Sequence, residues 1–305
     1  MYEKHFHLTL APFTLNPDVR FLYVTPSIKE ALATLAYGVT KQKGFVLLTG
    51  DVGTGKTTLL NVFVQWLEQH QAATAFVFNP RLRPDDFIDF MMNDFGIPCE
   101  SSAKSRRLIV FNQWLLERQK IGKPVVLIVD EAQQLPEETL EELRLLTNLE
   151  TPTQKLLQIV LSGQSELERL LAQPSLRQLK QRISLRCKTL PLSYPQTAEY
   201  ITRRLLVAGG HCSKIFRPEA IGLVYQYSRG VVRLVNQLCE NALMNAFCDD
   251  DTQVGAKHVE AAARDLEIAP YPNSSLAPAE PHETHAPAEF RLSPNEWNPQ
   301  KGTHE

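Results

Sequence analysis

The sequence lacks a long apolar run, a paired-cysteine motif and an excess of charge of either sign. No stretch of its 305 residues approaches the ~20 consecutive apolar residues that a helix needs to cross a bilayer. The opening MYEKHFHLTLAPF also lacks the succession of basic, apolar and small-residue regions that marks a secretory leader. We therefore expect a soluble, cytoplasmic chain whose contact with a membrane, at its inner face, is made through a partner. The five cysteines (Cys99, Cys187, Cys212, Cys239, Cys248) are odd in number, scattered, and form no C-x-x-C pair. That pattern points to reduced thiols and excludes a disulfide framework or a cysteine zinc site. With 32 basic and 34 acidic side chains the net charge is −2, which removes any general electrostatic case for wrapping nucleic acid.

What is present is a hydrophobic content of 43%, ample for a core, and one stretch that organises the rest, GFVLLTGDVGTGKTTLL from Gly44 to Leu60. It contains G-x-x-x-x-G-K-[ST], running Gly50, Asp51, Val52, Gly53, Thr54, Gly55, Lys56, Thr57, with Thr58 following. Glycine admits backbone conformations closed to other residues, so successive N–H groups can turn inward around an anion. Lys56 then reaches the β and γ phosphates of ATP, and the Thr57 hydroxyl is placed to ligate Mg²⁺. The apolar run Phe45 to Thr49 before the loop reads as a buried strand. Leu59, Leu60, Phe63 and Leu67 after it read as one face of a helix whose N-terminal dipole points at the same phosphates.

Ahead of this unit, residues 1–44 form an arm of interleaved aromatics and prolines. A helix follows from Ser27 to about Val39, with Ser27 and Glu30 at capping-box spacing. The arm is expected to pack on the core, and in a sharper reading part of it covers the nucleotide base. Beyond the loop the pattern alternates: a strand over Thr74–Phe78, a helix from Pro84 with Phe87, Phe90 and Met91 inward, and a helix from Ser105 to Lys120. Then come the strand Val125–Val129, a helix opened by Pro136 and a strand over Leu156–Leu161. A basic helical segment (Arg177, Lys180, Arg182, Arg186) and a last strand over Lys188–Leu192 complete the series. Strands alternating with helices imply an α/β domain with a parallel sheet over residues 45–192. Residues 193–268 read as a small helical domain, its first helix capped by Ser193 and Gln196 and ended at Gly209-Gly210. From 269 to 305 the composition shifts to Pro, Ala, Glu, Asn and His, the composition of a disordered tail, and its HETH at His282–His285 lacks the spacing of a zinc helix.

Asp130-Glu131 lies at the carboxyl end of the most apolar strand, the end where ligands sit in open α/β sheets. Asp130 is expected to hold Mg²⁺, through water, and Glu131 to orient and deprotonate an attacking water.

The segments GDVGTGKTT, VVLIVDEAQQL, LRLLTNLET, LLQIVLSGQSEL and LRQLKQRI, with the opening MYEKHFHLTLAPFTLNPDVRFLY and SRGVVRLVNQLCENAL, resemble the ATPase domain of the general secretion pathway protein A (ExeA-type) family. The MSHA-pilus biogenesis and exosortase-associated ATPases are relatives. The resemblance covers about residues 1–268. It implies a P-loop NTPase core of the AAA+ class, with a parallel sheet in the order 5-1-4-3-2 and an all-helical lid. It further implies that Gln164 or Ser162 senses the γ-phosphate and that Asn79 restrains Glu131 until a partner binds. Arg182, with Arg177 second, serves as an arginine finger to a neighbouring subunit, and Arg233 is the lid's sensor. Asp51 stands where the family usually has Glu, which matters little because backbone N–H groups do the binding. Larger members continue into a membrane span and a peptidoglycan-binding region, so a stand-alone ATPase of the shorter type is expected here.

The function read from this is a Mg²⁺-dependent ATPase, active as a homo-oligomeric dimer or ring. Its hydrolysis drives assembly of a bacterial secretion, pilus or polysaccharide-export machine. The alternative is a DNA-acting ATPase of the transposition-target or origin-recognition type. It needs a basic surface, for which Lys104-Arg106-Arg107 and the Arg177–Lys188 run are the candidates. A nucleotide-gated scaffold without turnover is disfavoured by Glu131.

Overall fold

The computed structural model describes residues 1–16, 18–78, 81–101 and 103–270. Its sheet has five parallel strands, β1 (Phe45–Thr49), β2 (Ala73–Val77), β3 (Val125–Val129), β4 (Leu157–Gly163) and β5 (Ile183–Lys188). They lie in the order β2-β3-β4-β1-β5, the 5-1-4-3-2 arrangement expected from the resemblance. Ahead of the sheet come α1 (Tyr2–His5) and α2 (Pro26–Thr40). Between strands run α3 (Lys56–Gln69), α4 (Pro84–Asp94), α5 (Lys104–Lys120), α6 (Glu137–Leu146), α7 (Ser165–Leu171) and α8 (Arg177–Arg182). After the sheet the described residues form α9 (Tyr194–Val207), α10 (Cys212–Ile215), α11 (Pro218–Ser228), α12 (Val232–Cys248) and α13 (Ala256–Asp265). Among the described residues no helix is long and apolar enough to cross a membrane.

The unbroken apolar run of β3 follows from its place inside the sheet. Val125, Leu127 and Val129 face a core shared with α4 to α8, while Val126 and Ile128 face a second core under α2 and α3. Side chains alternate across a strand, so a strand covered on both faces needs an apolar residue at every position. Gln158 of β4 is one exception, 3% exposed and satisfied: its Oε1 accepts from the Gly44 N–H at 2.8 Å and its Nε2 donates to the Lys155 carbonyl at 2.9 Å.

Several expectations shift. The last strand is Ile183–Lys188, not Lys188–Leu192, so the basic helix stops at Arg182 and Arg186 lies on the strand. The decisive pattern is period two: Ile183, Leu185 and Cys187 turn inward while Ser184, Arg186 and Lys188 are exposed. Charged side chains on this edge strand also block pairing with another chain. The second strand begins one residue earlier than expected, at Ala73. On α4, Phe87, Ile88 and Met91 are buried, whereas Phe90 is only half-buried and meets Phe78 edge-on. Helix α2 is capped by Thr25, whose hydroxyl accepts from the Ile28 N–H at 3.2 Å, not by Ser27. Pro26, with φ preset, occupies the first turn and moves the start forward. Ser193 and Gln196 do form the expected capping box on α9.

The first part of the arm packs on the C-terminal helices, while α2, with Val19 and Leu22 ahead of it, packs on the sheet. Tyr2, Phe6, Leu8 and Phe13 share one core with α9, α11, α12 and α13, and the Tyr2 hydroxyl donates to Glu240 at 2.8 Å. Arg204 of α9, 6% exposed, fastens the arm with bonds to the Pro12 and Thr14 carbonyls and stacks 4.4 Å from the Phe21 ring centre. Asn79 lies outside the described residues, as does the region from 271 onward with its HETH stretch.

Candidate functional site

The loop leaves β1 at Gly50, whose N–H donates to the Gly163 carbonyl of β4 at 3.3 Å. A Cβ at Gly50 would stand 2.0 Å from Thr189 Oγ1 and 2.8 Å from the Thr189 carbonyl, so the backbones approach more closely than any side chain permits. Thr189 also fixes the crest of the loop through a 2.7 Å bond to Thr54 Oγ1, and Thr54 Oγ1 reaches the Asp51 carbonyl at 2.8 Å. Gly53 and Gly55 take φ of 79° and 96°, left-handed values that strain other residues. Asp51 and Val52 are exposed at the rim, and Thr58 is half-buried in the first turn of α3. The N-terminus of that 14-residue helix faces the loop.

Lys56 is 6% exposed, and its ammonium donates to the carbonyls of Gly50 at 2.7 Å and Asp51 at 3.1 Å. Burial holds its pKa below the ordinary lysine range, against the opposing pull of the Glu131, Asp130 and Asp51 carboxylates. Thr57 Oγ1 donates to Asp130 Oδ2 at 3.1 Å. The other oxygen, Oδ1, accepts from Ser162 Oγ at 2.7 Å and from the Glu131 N–H at 2.9 Å. A hydroxyl and a carboxylate, both hard oxygen donors, thus converge beside the loop, a donor set that suits Mg²⁺ with water completing its shell.

Glu131 takes left-handed backbone angles, φ 51° and ψ 35°, and its Oε2 accepts from Gln133 Nε2 at 2.6 Å and Gln164 Nε2 at 3.0 Å. Ser162 and Gln164, the alternatives for a γ-phosphate sensor, therefore divide between Asp130 and Glu131. The N–H of Arg233 donates to the Gly53 carbonyl at 3.0 Å, and a Cβ at Gly53 would meet Arg233 Cβ at 2.7 Å, so the start of α12 rests directly on the loop. The Arg233 side chain is exposed.

The two finger candidates separate. Arg182 Nη1 donates to the Arg144 carbonyl at 3.0 Å and to Thr147 Oγ1 at 2.6 Å, holding the C-terminal end of α6 in its own chain. Arg177, at the start of α8, is exposed. Beside the loop a cleft opens between the arm, α3 and the C-terminal helices, lined by Phe21, Ile28, Thr58, Leu192, Val232 and Asn236. Thr189, Gln133 and the cleft residues of α9 and α12 escaped the sequence reading. Gln133 was open to notice as the glutamine two residues after Glu131, but nothing local signals the direction of its side chain.

The AAA domain family profile matches residues 39–171. The chain is 41% identical over 268 residues to general secretion pathway protein A of Aeromonas hydrophila, covering 87% of this chain and 48% of that protein. The chain thus spans about half the length of that relative. Among solved structures, CDC6P from Pyrobaculum aerophilum aligns with a TM-score of 0.64 at 17% identity, covering 82% of this chain and 71% of that one. The Aeropyrum pernix ORC2 protein in its ADPNP–ADP complexes aligns at 0.60 and 16% identity, covering 83% and 71%. The Thermotoga maritima RuvB Holliday junction branch migration motor aligns at 0.53 and 17% identity, covering 79% and 70%. At such identities the structural likeness speaks for the fold alone, and the 41% identity to the secretion protein, together with the AAA domain match, supports an AAA+ ATPase of the general secretion pathway protein A type.

Proposed function

We propose that the protein is a Mg²⁺-dependent ATP hydrolase, acting as a homo-oligomer, whose turnover drives a conformational step in assembling a bacterial secretion, pilus or polysaccharide-export apparatus. The observation that carries this reading is the convergence of Lys56, Thr57, Asp130 and Glu131 across the carboxyl end of the sheet, with Thr57 Oγ1 and Asp130 Oδ2 3.1 Å apart.

In this reading the loop N–H groups and Lys56 hold the β and γ phosphates, with Lys56 giving up the carbonyls of Gly50 and Asp51. Thr57 and Asp130 would hold Mg²⁺, which supplies neutralisation of phosphate charge. Glu131 accepts a proton from the water that attacks the γ-phosphorus as the bond to the β-phosphate oxygen breaks, releasing ADP and phosphate. The base lies in the cleft beside Thr58, covered by Phe21 of the arm. Arg233, resting on Gly53, ties the state of the nucleotide to the helical lid, and an arginine from a second subunit reaches the outer side of the γ-phosphate. Contact with an inner-membrane machine is made through a partner, in keeping with the name of the Aeromonas relative.

A DNA-acting motor, the class to which the name of the RuvB branch migration motor points, fits the surface less well. Arg107 is 4% exposed and paired with Asp85 and Asp89, Lys104 is paired with Glu142, and Lys188 with Glu168. Lys104, Arg107 and Lys188 are thus spent within the chain, which leaves fewer cations of these runs for a phosphate backbone.

Glu131→Gln tests the reading. The amide fits the same space yet accepts no proton, so the variant should bind ATP with wild-type affinity and release phosphate at least a hundredfold more slowly, in line with the 10² to 10⁴ that general-base catalysis typically contributes. Wild-type turnover in this variant would place the base elsewhere.

A further inference from the structure

The carboxylate of Glu131 does not stand alone at the end of β3. The chain enters a left-handed conformation at Glu131 and at once makes a 3-10 turn over Ala132–Gln134. That turn carries the side chain of Gln133 back over the preceding glutamate. Its Nε2 donates to Glu131 Oε2 at 2.6 Å, and its Oε1 accepts from the backbone N–H of Gln164 at 3.2 Å. The amide therefore cannot be flipped without losing both bonds. Gln164 Nε2 donates to the same carboxylate oxygen at 3.0 Å. Room for the bridge comes from Gly163, where a Cβ would lie 2.5 Å from Gln133 Oε1.

We propose that Gln133 is a positioning residue for hydrolysis: it clamps Oε2 of Glu131 against the end of β4, so that the other carboxylate oxygen is left to take the proton of the attacking water. Two neutral donors on one oxygen hold the carboxylate in a single rotamer and leave its charge intact. The bridge to the Gln164 N–H links that orientation to the strand that also carries Ser162, and hence to Asp130. Among the described residues the hydrogen bonds of Gln133 run to Glu131 and Gln164 and none to the phosphate loop, so its effect belongs on the chemical step and not on nucleotide affinity. This inference rests on the proposed ATP hydrolysis.

The test is steady-state ATP hydrolysis and calorimetric ATP affinity for the wild type, Gln133→Met and Gln133→Ala. Methionine keeps the length and bulk of the side chain but supplies no donor and no amide oxygen. A hydrogen bond to a charged group is worth ~1.5 to 3 kcal/mol, and each 1.36 kcal/mol is tenfold in rate. We expect kcat to fall about tenfold or more in both variants, with KM, ATP affinity and melting temperature of Gln133→Met close to wild type. Wild-type kcat in Gln133→Met would show that Gln133 only fills space, and a loss confined to KM would place it in binding; either result overturns the inference and leaves ATP hydrolysis standing. A wild-type protein that binds ATP and does not hydrolyse it overturns both.

Discussion

Thr57 Oγ1 donates to Asp130 Oδ2 at 3.1 Å across 73 residues of sequence, joining the first turn of α3 to the end of β3. The two oxygens proposed to hold Mg²⁺ are thus already neighbours. Asp130→Asn should keep the fold, since the amide oxygen can still accept from Ser162. ATP affinity should then lose most of its dependence on Mg²⁺, measured by calorimetry with and without the ion. Undiminished Mg²⁺ dependence in Asp130→Asn would remove Asp130 from the metal site.

Lys56 should give the nucleotide-free protein a distinctive alkaline behaviour. Its folded pKa lies below the unfolded one because burial disfavours the charge. Between those two values the unfolded state holds more protons, so stability rises with pH as Lys56 deprotonates in the fold. Lys56→Met should abolish that rise, measured by urea unfolding at a series of alkaline pH values. ATP affinity should run the other way, falling as pH climbs through the lowered pKa, because phosphate binding needs the charged form.

Gly50→Ala should fail for a reason outside the phosphate loop. The new methyl would meet both the hydroxyl and the carbonyl of Thr189, and the carbonyl cannot be trimmed by mutation. We expect a loss of about 2 kcal/mol or more, typical of overpacking, in chemical unfolding, with no rescue by Thr189→Ala. Rescue in the double variant would show that the side chain alone sets the restriction.

Arg182 and Arg177 should separate by experiment. Arg182→Ala frees the end of α6 and is expected to cost about 1 kcal/mol of stability. Arg177→Ala should leave stability alone and remove hydrolysis, if the arginine is delivered between subunits from the start of α8. Mixing Arg177→Ala with Lys56→Ala should then recover part of the activity, because one composite site would pair an intact loop with an intact arginine. A mixture no better than the sum of its parts would count against a shared site.

Duplex DNA should not stimulate ATP hydrolysis at about 150 mM salt, where the screening length is about 8 Å. A several-fold increase would favour the DNA-acting class, and the ion pairs of Arg107 and Lys104 are the reason to expect none.

The phosphate loop, the strand before it, the helix after it and the acidic end of β3 were determined by contiguous residues. Loop glycines, a lysine and a run of apolar residues act through local backbone geometry, which short-range pattern records. The alternation of strands and helices likewise set the α/β class, because a strand covered on both faces must be apolar throughout. Folding alone decided what meets across the chain: Thr189 against Gly50, the start of α12 on Gly53, and Tyr2 on Glu240. It also decided that Arg182 caps α6 and that Gln133 turns back onto Glu131. Such contacts depend on the direction of a side chain and on a partner far away in sequence, and neither leaves a trace in periodicity or composition. The end of the sheet was misread for a related reason: Ile183 to Lys188 alternates as an edge strand only because β1 lies beside it, and a basic run by itself reads as a solvated helix face.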